Sequence, residues 1–312
     1  MNKKKVWKRL RVIIVALIAL ILAADIGATF YFFHVSQARY NGKVTELKKT
    51  SKNYSLLAEF AAYKKTTKKI TNDGIKLVAW YVPAASKTNK TVIVVHGYHS
   101  SKEAMRQYAV LYHQLGYNVL MPDNRAAGES GGQIISYGYH DKFDIIAWAN
   151  TLIKADSKAD LTLFGVSMGA ATVMMASGEP TLPVNVHQII EDCGYTSVWD
   201  ETAYQAKQMY NLPKFPLIYE VSAMSKIRDG WTYGEASSVK ALAQNSRPML
   251  FIHGSKDTYV PTKMVYQNYA ADKDKEKQLL IVKGAAHAKS FETEPELYRK
   301  TVSEFLEKYD NY

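Results

Sequence analysis

Leu161-Thr162-Leu163-Phe164-Gly165-Val166-Ser167-Met168-Gly169 is the stretch on which the fold turns. An apolar run leads into Gly-x-Ser-x-Gly, and Ala170-Ala171-Thr172-Val173-Met174-Met175-Ala176 reads as a buried helix behind it. A serine at such a strand-to-helix turn is held in a strained backbone conformation, and the flanking glycines let strand and helix pass close together. The helix start brings positive potential and free N–H groups beside the serine. The bland alternative for Ser167 is a helix cap. The choice between them depends on whether a base, an acid and an oxyanion hole sit elsewhere in the chain.

They follow in order. Pro248-Met249-Leu250-Phe251-Ile252-His253 is a short strand, and its loop ends in Asp257. Leu279-Leu280-Ile281-Val282 is another, and the small-residue loop after it ends in His287. Each candidate lies just past the C-terminal end of an expected strand, where open α/β sheets place their sites. Asp192, after an earlier strand, is a rival carboxylate. Upstream, Thr91-Val92-Ile93-Val94-Val95 runs into His96-Gly97-Tyr98. A serine needs a base to become a nucleophile, a histidine can take and return its proton, and an acid orients the imidazole. Oxyanion donors are expected from the N–H after the nucleophile and from the early strand–helix loop, hence Met168 and Tyr98.

In the order Ser167, Asp257, His287 the chain resembles the α/β-hydrolase superfamily over about residues 65–310, and bacterial membrane-anchored esterases and prolyl-oligopeptidase-like hydrolases within it. His96-Gly97-Tyr98, Gly165-Val166-Ser167-Met168-Gly169, His253-Gly254-Ser255-Lys256-Asp257 and Gly284-Ala285-Ala286-His287 carry the resemblance. Asp123-Asn124-Arg125-Ala126-Ala127-Gly128-Glu129-Ser130 is similar to the family's Asp-x-Arg-Gly-x-Gly-x-Ser loop, with Ala126 where glycine is usual and Ala127 where histidine is frequent. The resemblance implies an α/β-hydrolase fold: a mostly parallel central sheet, helices on both faces and a helical cap insertion. It implies no cofactor and no metal. His96 and His99 lack the spacing of a metal site, so His96 reads as a hydrogen-bonding loop shaper, as does His253. Cys193, the single cysteine, reads as a buried thiol and leaves the compartment open.

The chain of 312 residues has a net charge of +11, and position explains the excess. Lys3, Lys4, Lys5, Lys8, Arg9 and Arg11 crowd the basic N-terminus, 1–11. Arg39 and eight lysines against Glu46 and Glu59 crowd 39–69, which leaves the rest close to neutral. Nucleic-acid binding is therefore not indicated. Residues 12–33 are apolar apart from Asp25 and reach about 33 Å as a helix, enough for a bilayer core. Asp25 costs about 3 kcal/mol if held near the middle. Phe30-Tyr31-Phe32-Phe33 suits a membrane interface, and the charge before the span outweighs Arg39, Lys43 and Lys48 after it. A signal anchor with the enzyme domain outside the cytoplasm is expected; a cleaved signal peptide is the alternative, but no clean Ala-x-Ala site follows.

Residues 34–69 read as a stalk whose helix turns Tyr54, Leu57, Ala58 and Ala61 to one side. The hydrolase domain is expected over 70–312. Strands are expected near 64–70, 75–82, 91–96, 118–122, 161–165, 187–191, 248–253 and 278–282. Helices are expected near 103–115, 140–155, 168–177, 262–270 and 295–308. The insertion at about 195–245 is rich in aromatics, and Trp199, Phe215 and Trp231 are expected to shape a pocket. The whole reads as a membrane-anchored serine hydrolase cleaving a carboxylic ester of a small molecule through an acyl-serine. A peptidase or amidase of the prolyl-oligopeptidase type is one alternative. A hydrolase fold used only for binding is the other. The oligomeric state is not legible.

Overall fold

The computed structural model describes residues 3–42 and 47–310; Lys43 and Glu46, and the ends of the expected first and last segments, lie outside them. The N-terminal helix α1 (Lys3–Gln37) is longer at both ends than the expected 12–33. After α2 (Ser55–Ala62), β1 (Thr66–Asn72) and β2 (Ile75–Val82) form a hairpin. Its two-residue loop puts Asp73 and Gly74 at φ 49° and 70°, the positive angles such a turn requires. The chain then alternates β3 (Lys90–Val95), α3 (Arg106–Gln114), β4 (Asn118–Pro122), α4 (Asp141–Ala155), β5 (Asp160–Val166), α5 (Met168–Ser177) and β6 (Val186–Asp192). Three helices follow without a strand: α6 (Val198–Tyr210), α7 (Leu217–Asp229) and α8 (Ser238–Leu242). Finally come β7 (Met249–Gly254), α9 (Lys263–Ala271), β8 (Lys277–Val282), α10 (Ser290–Thr293) and α11 (Pro295–Lys308).

The sheet order is β1-β2-β4-β3-β5-β6-β7-β8, and β2 alone runs against the rest. Period-two alternation explains its two buried faces. Val92 and Val94 of β3 face Tyr108 and Tyr112 of α3 and Phe305 of α11. Ile93 and Val95 face the other way, toward Trp148 of α4, Val173 and Met174 of α5 and Val265 of α9. Each such side chain contributes roughly 1.5–3 kcal/mol by leaving water. The cap lies over the C-terminal edge of the sheet, where the strand-end loops gather. Tyr195, Val198, Ile218, Val221, Trp231 and Tyr233 form its own small core with Met168 and Ala171 of α5.

The expected stalk is corrected by the fold. Residues from 34 onward pack on the domain: Ala38 bridges Ile134, Arg39 donates to the carbonyls of Ser130 and Gly132, and Asn53 donates to Gln107. The buried side of α2 is Phe60, flanked by Leu56 and Tyr63, rather than the side of Tyr54, Leu57, Ala58 and Ala61. A phenyl ring drives the choice of face, since it removes more apolar surface than alanines do. β1, too, begins at Thr66, ahead of the expected boundary at 70. α1 itself is bare over residues 4–24 and then packs one side against α7. Thr29 Oγ1 donates to Glu220 Oε2 at 2.9 Å, and Gln37 exchanges hydrogen bonds of 2.7 Å with Ser225. Asp25, the one charge in the apolar run, meets Glu220; burial and this contact push the Glu220 carboxyl up.

Candidate active site

Ser167 sits between β5 and α5 with φ 57° and ψ −115°, a backbone cost of about 1–3 kcal/mol that the surrounding structure must hold in place. The glycines beside it have steric reasons. A Cβ on Gly165 would overlap the Gly169 carbonyl, and one on Gly169 would overlap the Val95 carbonyl. The turn thus brings β5, α5 and the end of β3 into backbone contact, with Ser167 at its apex. Gly97 lies alongside, where an added Cβ would be 3.3 Å from Ser167 Cβ, so the loop after β3 borders the serine. Met168 opens α5, where the first N–H groups have no partner within the helix.

Three strand-end residues converge. His287 Nε2 is 2.9 Å from Ser167 Oγ, and His287 Nδ1 is 2.8 Å from Asp257 Oδ2. Asp257 Oδ1 accepts the N–H groups of Tyr259 and Val260, each at 2.9 Å. Burial works against the Asp257 charge, but hydrogen bonds from His253 and His287 hold its carboxyl down to about 2. An ionised carboxylate only accepts, so His287 Nδ1 carries the proton and Nε2 is left to accept the Ser167 hydroxyl. Asp192 is elsewhere: it accepts the Tyr298 hydroxyl at 3.0 Å, and burial raises it to about 6.

The sequence had not marked His253 as a neighbour of Asp257. Its Nε2 lies 3.3 Å from Asp257 Oδ2 and 2.9 Å from the Val260 carbonyl. Burial opposes its charged form, yet Asp257 and Glu191 around it push its pKa up. His96 fills the loop-shaping role expected of it. It accepts the Asn124 N–H at Nε2, and burial keeps it neutral. Next to it, Asp123 accepts from Lys102, whose ammonium is fully buried beside Trp80. Ala126 adopts φ 57°, which explains why glycine is the usual residue there. Cys193 Sγ, Asp257 and His287 place their donor atoms within 4.8 Å of one another. Burial pushes the Cys193 thiol well up, which makes it a poor thiolate ligand, and the Asp257 oxygens are engaged.

Ser167 opens into a cavity of about 350 Å³. Its walls are mostly apolar: Met168, Tyr195, Val198, Met209, Ile218, Val221 and Tyr233. Trp199, Phe215 and Trp231 are not among them. Trp231 is fully buried within the cap and donates to Asp229, Trp199 packs on Tyr219, and Phe215 is 73 % exposed. Trp199 and Trp231 thus hold the cap together, Phe215 lies on its outside, and other side chains, Tyr195 and Tyr233 among them, line the hollow. One carboxyl lines it as well. Glu201 accepts from Gln205, and burial raises it to about 8. The end of α1 supplies Phe32, Val35 and Ser36 to the same cavity, which nothing in the sequence signalled.

A strand order of this kind, with the serine at the turn after β5, defines an α/β-hydrolase. Residues 86–191 match the family model described as "Serine aminopeptidase, S33". The uncharacterized protein YqkD of Bacillus subtilis is 30% identical over 261 residues, 83% of this chain and 85% of that one. The Pyrococcus furiosus esterase Pf2001 superposes with a TM-score of 0.67 at 23% identity, covering 86% of this chain and 97% of that one. The Pyrococcus horikoshii acylaminoacyl peptidase superposes with a TM-score of 0.62 at 17% identity, covering 85% of this chain and 45% of that one. The chain belongs to the α/β-hydrolase superfamily.

Proposed function

We propose that the chain is a membrane-anchored serine hydrolase that cleaves carboxylic esters outside the cytoplasm. The observation that carries this reading is the hydrogen-bonded series Asp257–His287–Ser167 at the floor of an apolar cavity. His287 Nε2 takes the hydroxyl proton as Ser167 Oγ bonds to the ester carbonyl carbon. Asp257 holds the imidazole in the one tautomer that can do this and stabilises its charged form. The N–H groups of Tyr98 and Met168 face the developing oxyanion, each worth about 3 kcal/mol in the transition state. His287 then returns the proton to the departing alkoxide, the C–O bond breaks, and an acyl-serine remains. A water, deprotonated by the same imidazole, releases the carboxylic acid.

The ester reading is supported by a wall that offers an acyl chain apolar surface. The likeness to an esterase and to a peptidase fits either bond. Basic residues in the first turns of α1, ahead of its apolar run, favour an inside N-terminus, which puts the domain outside. The direct test is Ser167→Ala: alanine fits the turn, so folding should persist while turnover of p-nitrophenyl butyrate falls to background. A fluorophosphonate should label Ser167 in the wild type alone. Retained labelling or several per cent of activity in the variant would remove Ser167 from the mechanism. Aminoacyl-anilides run beside the ester series decide the bond.

A further inference from the structure

Four observations meet at one end of the cavity. First, of its exposed lining residues, Val35, Met209 and Tyr210 gather where the last turn of α1 meets the end of α6; Tyr259, beside His287, is the other. Phe32 of α1 packs edge-on to Tyr210 at 5.3 Å, so the two helices share this rim. Second, α1 is joined to the oxyanion region: the hydroxyls of Tyr98 and Tyr137 both donate to the Ser36 carbonyl, at 2.8 and 2.5 Å. Third, α7 runs the same way as α1 along their contact, with Glu220 against Thr29 and Ser225 against Gln37. The connection ahead of α7, which includes Phe215, therefore points toward the bare part of α1. Fourth, α7 turns Tyr219 outward at the level where α1 keeps Ile26, Phe30 and Tyr31 exposed, and Ile227, 77 % exposed, lies two turns further along the same helix. Apolar surface thus runs from the bare helix across the cap to the cavity rim, without interruption by a flexible linker.

We infer that the substrate is an acyl ester of a bilayer lipid, drawn sideways from the outer leaflet between α1 and the end of α6, with the outward face of α7 seated in the interface. This rests on the ester-hydrolase reading above and on α1 as the anchor. The lipid's acyl chain lies along Val35, Met209 and Leu217, with its ester carbonyl at Ser167 Oγ. Attack forms the Ser167–acyl bond and breaks the ester C–O bond, the lipid alcohol leaves with the proton held by His287, and water releases the fatty acid. A chain that dissolves in the leaflet need never cross water to reach the serine. That is the physical advantage of a cavity that opens against its own anchor.

The test uses the full chain reconstituted in phosphatidylcholine vesicles. p-Nitrophenyl palmitate dissolved in the vesicles and p-nitrophenyl butyrate in the buffer are assayed side by side. The exposed pair Phe215→Asp and Ile227→Asp, which lines no part of the cavity, should lower the palmitate rate at least tenfold and change the butyrate rate less than threefold. Equal rates with palmitate in variant and wild type, or an equal fall with both esters, would overturn the proposal. Wild-type protein that hydrolyses butyrate but not palmitate would overturn it too and leave the esterase reading intact. Wild-type protein that hydrolyses neither would sink the esterase reading itself. A readout independent of turnover is photo-crosslinking of Ser167→Ala protein to phosphatidylcholine bearing a diazirine on its acyl chain. Label is expected on the peptides that hold Val35 and Met209; label confined to residues 12–24 would refute lateral access.

Discussion

Replacing Asp257 by asparagine tests the polarity of the site more sharply than removing the serine does. Oδ1 of Asp257 accepts two backbone N–H groups, from Tyr259 and Val260, at 2.9 Å each. An asparagine must offer its carbonyl oxygen to those two donors, because its NH2 group cannot accept them. The NH2 then faces His287 Nδ1, 2.8 Å away in the wild type. The imidazole is forced to accept at Nδ1 and to carry its proton at Nε2, pointing at Ser167 Oγ. It no longer acts as a base. Loss of the productive tautomer costs on the order of 10⁴ in kcat, or about 5 kcal/mol of barrier. Asp192→Asn leaves an acceptor for the Tyr298 hydroxyl and removes only a charge that acts on His287 through space. Loss of a charge acting through space is bounded at roughly tenfold in rate, about 1.4 kcal/mol of barrier. The assay is kcat on p-nitrophenyl butyrate, with circular dichroism melts to confirm folding. A folded Asp257→Asn enzyme within a hundredfold of wild type, or an Asp192→Asn enzyme slower than it, would refute the reasoning.

Glu201 makes the stability of the protein depend on pH. Its carboxyl is raised from 4.5 to about 8, so the folded state keeps a proton that the unfolded state releases between those values. Wild-type stability should therefore fall as pH rises through that window, and Glu201→Gln should lose less, by up to about 1.4 kcal/mol per unit; Glu191, buried and raised to about 8 as well, keeps its share of the loss in both proteins. A melting-temperature gap between the two that stays flat from pH 5 to 8 would show that the carboxyl is not held neutral. Trp231→Ala should destabilise the cap by about 3–5 kcal/mol and leave relative rates across an ester series unchanged, while Met209→Ala should alter chain-length preference with little loss of stability. Each methylene that finds apolar wall is worth about 0.8 kcal/mol, or roughly fourfold in kcat/KM, so the series reads the depth of the cavity directly. Protease added to intact cells, or to spheroplasts where a wall blocks access, should digest residues 40–312 without lysis; full protection would reverse the orientation.

The sheet was legible because its strands are short apolar runs separated by amphipathic stretches, and because each site candidate stands where such a run ends. The register of Ser167, Asp257 and His287 needed nothing beyond that. What the sequence hid was of another kind. His253 lies four residues before Asp257, but only the bend after β7 brings the Asp257 carboxylate back to the His253 ring. Trp231 and Met209 are both apolar, and no periodicity says which fills the cap and which lines the hollow. The face of α2 was misjudged because alanine spacing mimicked a helical stripe while one phenylalanine set the packing. The part played by α1 was the least legible: an apolar span is read by its length, and length carries no trace of a partner helix.

The chain leaves α1 at Gln37 and bridges to Ile134 through Ala38 without slack. If α1 is the anchor proposed above, a helix joined in this way is also a wall of the cavity, and it would fix the height and tilt at which the cavity rides on the membrane. Lengthening the junction by even a few residues would uncouple the two while leaving each intact. A water-soluble form cut after Gln37 would lack Phe32, Val35 and the Ser36 carbonyl that Tyr98 and Tyr137 share. Ligands selected on such a truncated form would be fitted to a wider, wetter opening than the whole protein has.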